Sequence, residues 1–154
     1  MIHARAARQL GLTLIELTTA VVALVVLAAI AIPLWNNHQL RQRREGAVDL
    51  LLAVQAAQDR HFAARARYAD DSELFAASGA TPAMNRNSAG DFYRAEVERS
   101  PDGLSYVVIA RAAKVAEPAR ADSRCSEFRL DGQGRRWSLD REGKDSTADC
   151  WNRL

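Results

Sequence analysis

The sequence predicts an α+β fold in which one long N-terminal helix packs on a four-stranded antiparallel sheet. A charge-free apolar run near the N-terminus leads into a stretch where apolar residues recur every three or four positions, the helical period. Further along the chain, apolar and charged residues alternate with a period of two, which is typical of strands. Gly-containing turns separate the alternating runs, so consecutive strands are predicted to pair antiparallel.

Charge is unevenly distributed along the 154 residues. The chain has 21 basic and 19 acidic residues, and this net charge of +2 gives no electrostatic case for direct binding to DNA or RNA. The stretch from Leu17 to Leu40 carries no charged side chain, whereas nearly everything after Arg41 is richly charged. The sequence therefore predicts a hydrophobic segment joined to one modest soluble domain.

One helix is predicted from about Leu12 to about Ala64, roughly 80 Å long. Its half at 12–35 is apolar throughout, and its half at 36–66 is amphipathic. Pro33 lacks a backbone N–H and clashes with the preceding turn, so a kink is predicted there. The apolar face of the second half consists of Ala47, Leu50, Leu51, Val54, Ala57 and Phe62.

The remaining residues, 67–154, are predicted to form a globular headgroup. Its loop region, 67–91, contains the sequence YADDSELFAASG, which predicts a short helix. Asp70 can cap this helix together with Glu73, and Gly79 can end it.

The predicted sheet covers 92–140 and consists of two hairpins. In the second hairpin, Phe128 and Leu130 are predicted to face Trp137 and Leu139 across a Gly-containing turn. Trp137 is accordingly assigned to the core, with an exposed contact surface as the alternative. The alternating apolar positions of the first hairpin are Tyr93, Ala95 and Val97 on one strand and Leu104, Tyr106, Val108 and Ala110 on the next.

The two cysteines, Cys125 and Cys150, both lie in the last thirty residues. An even cysteine count in an exported chain predicts a disulfide, which would bound the region 125–150. Closing this loop would stabilise the fold by about 3.5 kcal/mol in the chain-entropy model. Two reduced thiols would suit a cytosolic protein, which the apolar segment argues against. A zinc site would need a CxxC pair or a nearby histidine to complete its ligands.

Three hypotheses compete for residues 1–35. The first is a cleaved secretory signal, with Arg5 and Arg8 before the apolar core and Ala29–Ala31 as the cleavage site. The second is a plain transmembrane anchor, because Leu17–Trp35 approaches the roughly 20 residues needed to span a bilayer. The third is a leader peptide that is cut before the apolar run rather than after it.

Glu16, at the start of the apolar run, favours the third hypothesis. Neither a signal peptide nor a plain anchor has a use for an acid there, and intramembrane acids are functional candidates. The stretch GLTLIEL, residues 11–17, resembles the class III leader motif of type IV pilins and type II secretion pseudopilins. That family shares a short basic leader ending in Gly, a hydrophobic residue and then Thr-Leu-Ile-Glu-Leu. Pro33 also lies where these helices commonly carry a proline.

The resemblance implies that a prepilin peptidase removes the leader, 1–11, by cutting between Gly11 and Leu12. The same enzyme would methylate the new amino group of Leu12, which stands where the family more often has Phe. In fibres of this family the amine pairs with the Glu of a neighbouring subunit, so Glu16 would act in assembly. Each charge is costly alone in an apolar core, and the pair relieves both penalties at only one register. The segment 12–35 would span the membrane before assembly and line the filament core afterwards.

A second resemblance covers about the last fifty residues. One helix, a linking loop and four antiparallel strands is the plan of type IV pilin headgroups. The sequence ADSRCSEFRLDGQGRRWS, followed by a terminal CW, resembles PilE-like minor pilins. The resemblance implies that Cys125 and Cys150 staple the family's variable C-terminal loop to the sheet.

These resemblances imply a type IV pilus subunit, a minor pilin that primes or joins the fibre for motility, adhesion or DNA uptake. Expected partners are other pilin subunits, the prepilin peptidase, the inner membrane and the pilus assembly machinery, with no direct DNA binding. The chain would sit in the inner membrane with its headgroup in the periplasm, and reach the pilus on the cell surface after assembly. The alternatives are a type II secretion pseudopilin and a membrane-anchored periplasmic binding domain that does not polymerise.

No catalytic, cofactor or metal site is predicted, and the chain is not expected to be an enzyme. The three histidines are scattered, and no nucleophile, base and acid are grouped at motif spacing. Four C-terminal aspartates invite comparison with calcium ligands, but the EF-hand pattern is absent and surface turns account for them. These aspartates are Asp131, Asp140, Asp145 and Asp149.

Overall fold

The computed structural model describes residues 13–76, 83–113 and 122–152. The chain divides into two compact units, one ending at His38 and one, the C-terminal unit, beginning at Gln39. The predicted α+β arrangement is confirmed, with a long helix, a four-stranded antiparallel sheet and a C-terminal disulfide. In chain order the elements are α1 (Leu14–Arg65), α2 (Asp71–Phe75), a 3₁₀ turn (Ala89–Asp91), β1 (Tyr93–Arg99), β2 (Tyr106–Ala112), β3 (Glu127–Asp131), β4 (Arg136–Leu139) and α3 (Thr147–Cys150).

Within the C-terminal unit, α1 packs on one face of the sheet. Ala47, Leu50, Leu51 and Val54 are buried there, as their helical spacing predicts, whereas Phe62 lies at the rim with 36% of its surface exposed. Full burial of one leucine side chain is worth about 1.5–3 kcal/mol, so this stripe fixes the helix to the sheet. The sheet contributes Tyr93, Ala95, Val97, Tyr106, Val108, Ala110, Phe128 and Leu130 to the same core.

The strands pair antiparallel in the order β1-β2-β3-β4. In the second hairpin Phe128 pairs with Ser138, and Arg129 pairs with Trp137. The prediction that Phe128 and Leu130 face Trp137 and Leu139 is therefore wrong. The physical reason is that a one-residue change of register moves a side chain to the opposite face of a sheet. Trp137 lies on the outer face, away from the core, and its assignment to the core is corrected.

The outer face of the sheet carries an ion-pair network around a buried apolar residue. Arg111 contacts Glu96 at 3.0 Å and Glu127 at 2.7 Å, and Arg129 also pairs with Glu127. Ile109 is fully buried between Glu96 and Arg129, its neighbours in the strand register. The stems of such long charged side chains shield apolar surface from water. This shielding explains how β2 can be apolar on both faces.

Both edges of the sheet are occupied by other parts of the chain. On β1, the N–H of Val97 donates to the carboxylate of Asp71 at 3.1 Å. On β4, the N–H of Ser138 donates to the hydroxyl of Thr147, and its carbonyl accepts from Ser146 N–H, both at 3.0 Å. Unpaired edge groups are what allow strands from another chain to add. This sheet is therefore poorly suited to polymerise through its edges.

The predicted disulfide between Cys125 and Cys150 is present, with 5.8 Å between the two Cα atoms. Asp122 holds the start of the disulfide-bounded region to α1, because Arg44 Nε donates to Asp122 Oδ2 at 2.6 Å. The other carboxylate oxygen accepts the N–H of Cys125 at 3.2 Å. The Tyr93 hydroxyl donates to the carbonyl of Cys125 at 2.7 Å. The region is thus held to both the helix and the sheet.

The connection from α1 to α2 is closed by hydrogen bonds to Glu73. The predicted cap is confirmed, since Asp70 accepts the N–H of Glu73 at 2.9 Å and Glu73 accepts the N–H of Asp70 at 3.0 Å. Arg67 donates two further bonds to the Glu73 carboxylate, at 2.7 and 2.5 Å. The helix α2 ends at Phe75, and the predicted stop at Gly79 lies outside the described residues.

Acid is expected to remove the contribution of Glu73 to stability. Hydrogen bonds from the Arg67 guanidinium, with a further bond from the Asp70 N–H, lower the pKa of Glu73 from 4.5 to about 2. Because the pKa is lower in the folded chain, this contribution is complete above about pH 4.5 and is lost as the pH falls toward about 2. In melting curves across that range, Glu73→Gln should show a shallower loss of stability than the wild type. Glu142→Gln, at an exposed turn, is the control, and equal acid slopes for Glu73→Gln and wild type would contradict this role.

Candidate assembly segment

Glu16 lies in the first turn of α1 and is bonded to the residue that precedes the helix. Thr13 donates its N–H to Glu16 Oε2 at 2.8 Å and its hydroxyl to the same oxygen at 2.9 Å. In return, the N–H of Glu16 donates to the Thr13 hydroxyl oxygen at 3.3 Å. This reciprocal arrangement is a capping box, which satisfies N–H groups that a helix N-terminus leaves unpaired. The local role was not predicted, although the Thr-x-x-Glu spacing is its sequence signature.

The next two polar side chains of the segment are also satisfied within the helix. The hydroxyl of Thr18 donates to the carbonyl of Ile15 at 3.0 Å, and that of Thr19 donates to the carbonyl of Glu16 at 3.0 Å. A polar group without a partner would be costly in lipid or in an apolar protein core. Because these hydroxyls are paired, the charge of Glu16 is the main polar feature that residues 13–35 present to their surroundings.

An extensive apolar surface follows Glu16. Every residue from Thr13 to His38 is exposed, and between them lie no charges other than Glu16. Helix α1 has the length and apolar composition needed to cross a membrane, by those two criteria alone. Soluble monomers rarely expose a continuous apolar patch of this size, and a surface of this kind is suited to burial in a membrane or against other chains. Its large exposed side chains are Leu14, Ile15, Leu17, Val21, Val22, Leu24, Val25, Val26, Leu27, Ile30, Ile32, Leu34 and Trp35.

The processing site and the proline of the helix were also predicted to be functional. Gly11 and Leu12 lie outside the described residues, so cleavage between them and methylation of Leu12 stay predictions. Pro33 lies inside α1, which continues as helix on both sides of it. The kink predicted at Pro33 also stays a prediction.

Two of the C-terminal aspartates, Asp140 and Asp145, serve as backbone acceptors in turns. Asp140 accepts the N–H groups of Glu142 and Lys144, both at 2.9 Å, and Asp145 accepts that of Thr147 at 2.9 Å. Within 13–76, 83–113 and 122–152, no three His, Cys, Asp or Glu side chains are grouped so as to hold a metal ion. Turn formation therefore accounts for the positions of these two carboxylates.

Comparison with known proteins gives one structural likeness. No family model matches the chain, and no curated protein sequence matches it significantly. The chain is similar in structure to a type IV pilin from Shewanella oneidensis, with a TM-score of 0.43 and 19% sequence identity. The alignment covers 62% of this chain and 88% of that pilin.

Proposed function

We propose that this chain is a type IV pilus subunit of the minor-pilin kind. In this proposal a prepilin peptidase cuts between Gly11 and Leu12 and methylates Leu12, and the apolar segment then carries the chain from the inner membrane into the fibre. The observation that carries the proposal is Glu16, a lone acid in the first turn of an exposed, otherwise charge-free helix. It lies within GLTLIEL, the part of the sequence that resembles the family's leader motif.

The hydrogen bonds of Glu16 explain why an intermolecular partner is still needed. Thr13 supplies two hydrogen bonds to one carboxylate oxygen, but it supplies no positive charge. A buried carboxylate without a counter-charge costs several kcal/mol. Cleavage after Gly11 would create a positive amine at Leu12, and the amine of a neighbouring subunit would supply that counter-charge. Such a pair forms at one register only, which suits a residue that aligns subunits.

The C-terminal unit also favours assembly through α1 rather than through the sheet. Its sheet edges are occupied, and its outer face is covered by paired charges around Ile109. Neither feature favours polymerisation through the sheet. The exposed apolar part of α1 is the surface best suited to hold subunits together in a fibre. The exterior of the headgroup would then not be needed for assembly and could vary.

The N-terminus of the mature protein tests this proposal directly. Mass spectrometry of the full chain, expressed with a prepilin peptidase, should find a first residue of Leu12 carrying an N-methyl group. A mature start at Ile32 would indicate an ordinary signal peptide, and an intact N-terminus would indicate a plain anchor. Either of those results would overturn the proposal. Expression without the peptidase is the control and should leave residues 1–11 attached.

A type II secretion pseudopilin would share the leader and the long helix. The disulfide between Cys125 and Cys150 favours the pilus, because it encloses a C-terminal region as in the pilins that this chain resembles. Fibre composition separates the two functions. The chain should co-purify with surface pili and should be dispensable for the release of secreted enzymes. A binding domain that does not polymerise would be absent from purified fibres altogether.

A further inference from the structure

A cleft of about 290 Å³ lies at the end of the sheet where the β1–β2 and β3–β4 turns approach each other. Glu98, Val107 and Asp131 form one row across three strands, because Glu98 pairs with Val107 and Val107 pairs with Asp131. Their sequence neighbours Val108 and Leu130 are buried in the core. Since side chains alternate along a strand, the row points to the outer face.

Seven of the nine residues that line the cleft have polar or charged side chains, and Tyr106 and Val107 add apolar surface. Asp131 accepts the N–H of Gln133 at 3.0 Å and that of Arg135 at 2.9 Å, so its carboxylate is held in place. Arg135 adds a bond from Nε at 2.5 Å, yet 77% of its side chain is exposed and its other nitrogens point to solvent or to Gln133. The carboxylate of Glu98, across the row, is exposed and pairs with no residue that the structure describes.

This lining indicates the class of ligand. Carboxylates, an amide and a guanidinium offer paired donors and acceptors, and Val107 and Tyr106 supply apolar surface beside them. A lipid or an aromatic molecule would require a larger apolar wall. A ligand with several adjacent hydroxyl groups and some apolar C–H surface is the matching chemistry, and a neutral sugar ring has both.

Trp137 lies on the same outer face and strengthens this assignment. It pairs with Arg129 on β3, beside the ion-pair network, and its side chain is only partly buried. Trp137 lies two strand spacings across the sheet from Val107 and two residues along the strands. In sheet geometry this separation is about 12 Å. An aromatic ring is amphipathic enough to cover the C–H face of a sugar while polar neighbours bind its hydroxyls. The carboxylates and guanidinium groups of the outer-face ion-pair network would be those polar neighbours.

We propose that the outer face of the sheet binds a neutral oligosaccharide, with one ring in the cleft and another stacked on Trp137. Glu98 and Arg135 would bind ring hydroxyls, and Asp131 would hold Arg135 in position. The site lies wholly in the C-terminal unit, so its test is independent of cleavage and fibre assembly.

The test uses the full chain in dodecylphosphocholine micelles, whose headgroup contains no sugar. Maltotriose, cellotriose and triacetylchitotriose are titrated while the indole N–H signals of the tryptophans are followed by NMR. At least one of these sugars should shift the Trp137 signal saturably, with no change in the signal of Trp35. Trp137→Ala should weaken binding about tenfold, because it removes the stacking ring. Glu98→Gln should weaken it by a similar factor, because a neutral amide has one acceptor oxygen in place of the two charged oxygens of the carboxylate. Glu142→Gln, on an exposed turn, should bind as the wild type does.

Pull-down with insoluble amylose, cellulose and chitin identifies the source of the sugar. Retention that depends on Trp137 would support the proposal and identify a polysaccharide as the ligand. The proposal is overturned if no trisaccharide and no polysaccharide binds, or if binding is unchanged in both Trp137→Ala and Glu98→Gln. Binding of trilysine in place of the sugars would also overturn it, since the cleft would then be a site for basic peptides.

Discussion

Replacing Cys150 by serine is expected to lower the free energy of unfolding of the C-terminal unit by about 2–4 kcal/mol under oxidising conditions. The bridge joins residues 25 apart in the sequence, and in the chain-entropy model a loop of this size contributes about 3.5 kcal/mol. Both cysteines are fully buried, so the serine hydroxyl adds a polar group where the wild type has none. The effect should therefore exceed that of a typical surface substitution several-fold.

The structure indicates how this loss should spread. Cys125 accepts the Tyr93 hydroxyl and donates its N–H to Asp122, which in turn is held by Arg44. Loss of the bridge should thus loosen the segment that enters β3 before it affects the first hairpin. Hydrogen exchange should show faster exchange first around Cys125.

Denaturant unfolding of the wild type, each single variant and the double variant measures the effect. Cys125→Ser and Cys150→Ser should lose similar amounts, and the double variant should lose little more, because all three lack the same bridge. A reductant should destabilise the wild type and leave the double variant unchanged. A melting curve that is the same for Cys150→Ser and the oxidised wild type would contradict the stabilising role.

Much of the fold could be predicted because its signals are local and periodic. The predicted helix, Leu12 to Ala64, differs from the observed Leu14–Arg65 by no more than two residues at either end. The cap at Asp70 was predicted for the same reason, since capping depends on residues three apart. The predicted strand at Leu104 begins instead at Tyr106, because Leu104 belongs to the exposed turn.

The errors and omissions concern contacts that periodicity does not encode. Pairing of Phe128 with Ser138 depends on the geometry of the intervening turn, and a one-residue error placed Trp137 in the core. The bond between Arg44 and Asp122 joins residues 78 apart, and no spacing rule predicts it. The Thr13–Glu16 box differs from these contacts, because it is local and its Thr-x-x-Glu signature is present in the sequence.

Glu16 can be changed in two ways that separate its local role from its proposed assembly role. Glu16→Gln keeps a side-chain carbonyl that can accept the Thr13 N–H, so the capping box and the helix N-terminus should survive. The same substitution removes the negative charge that would pair with the Leu12 amine of a neighbouring subunit. Glu16→Val removes both the cap and the charge.

If the charge aligns subunits, both variants should be processed after Gly11 and both should enter fibres at least about tenfold less than the wild type. The physical reason is that an unpaired amine in an apolar core costs about 3–5 kcal/mol, more than enough for such a loss. Incorporation is measured as the fraction of the chain in sheared, sedimented fibres, with the mature N-terminus checked by mass spectrometry. Thr19→Val is the matched control, because it removes a hydroxyl one turn along the same helix without changing charge. Normal incorporation of Glu16→Gln, with Glu16→Val impaired, would show that Glu16 acts only as a helix cap.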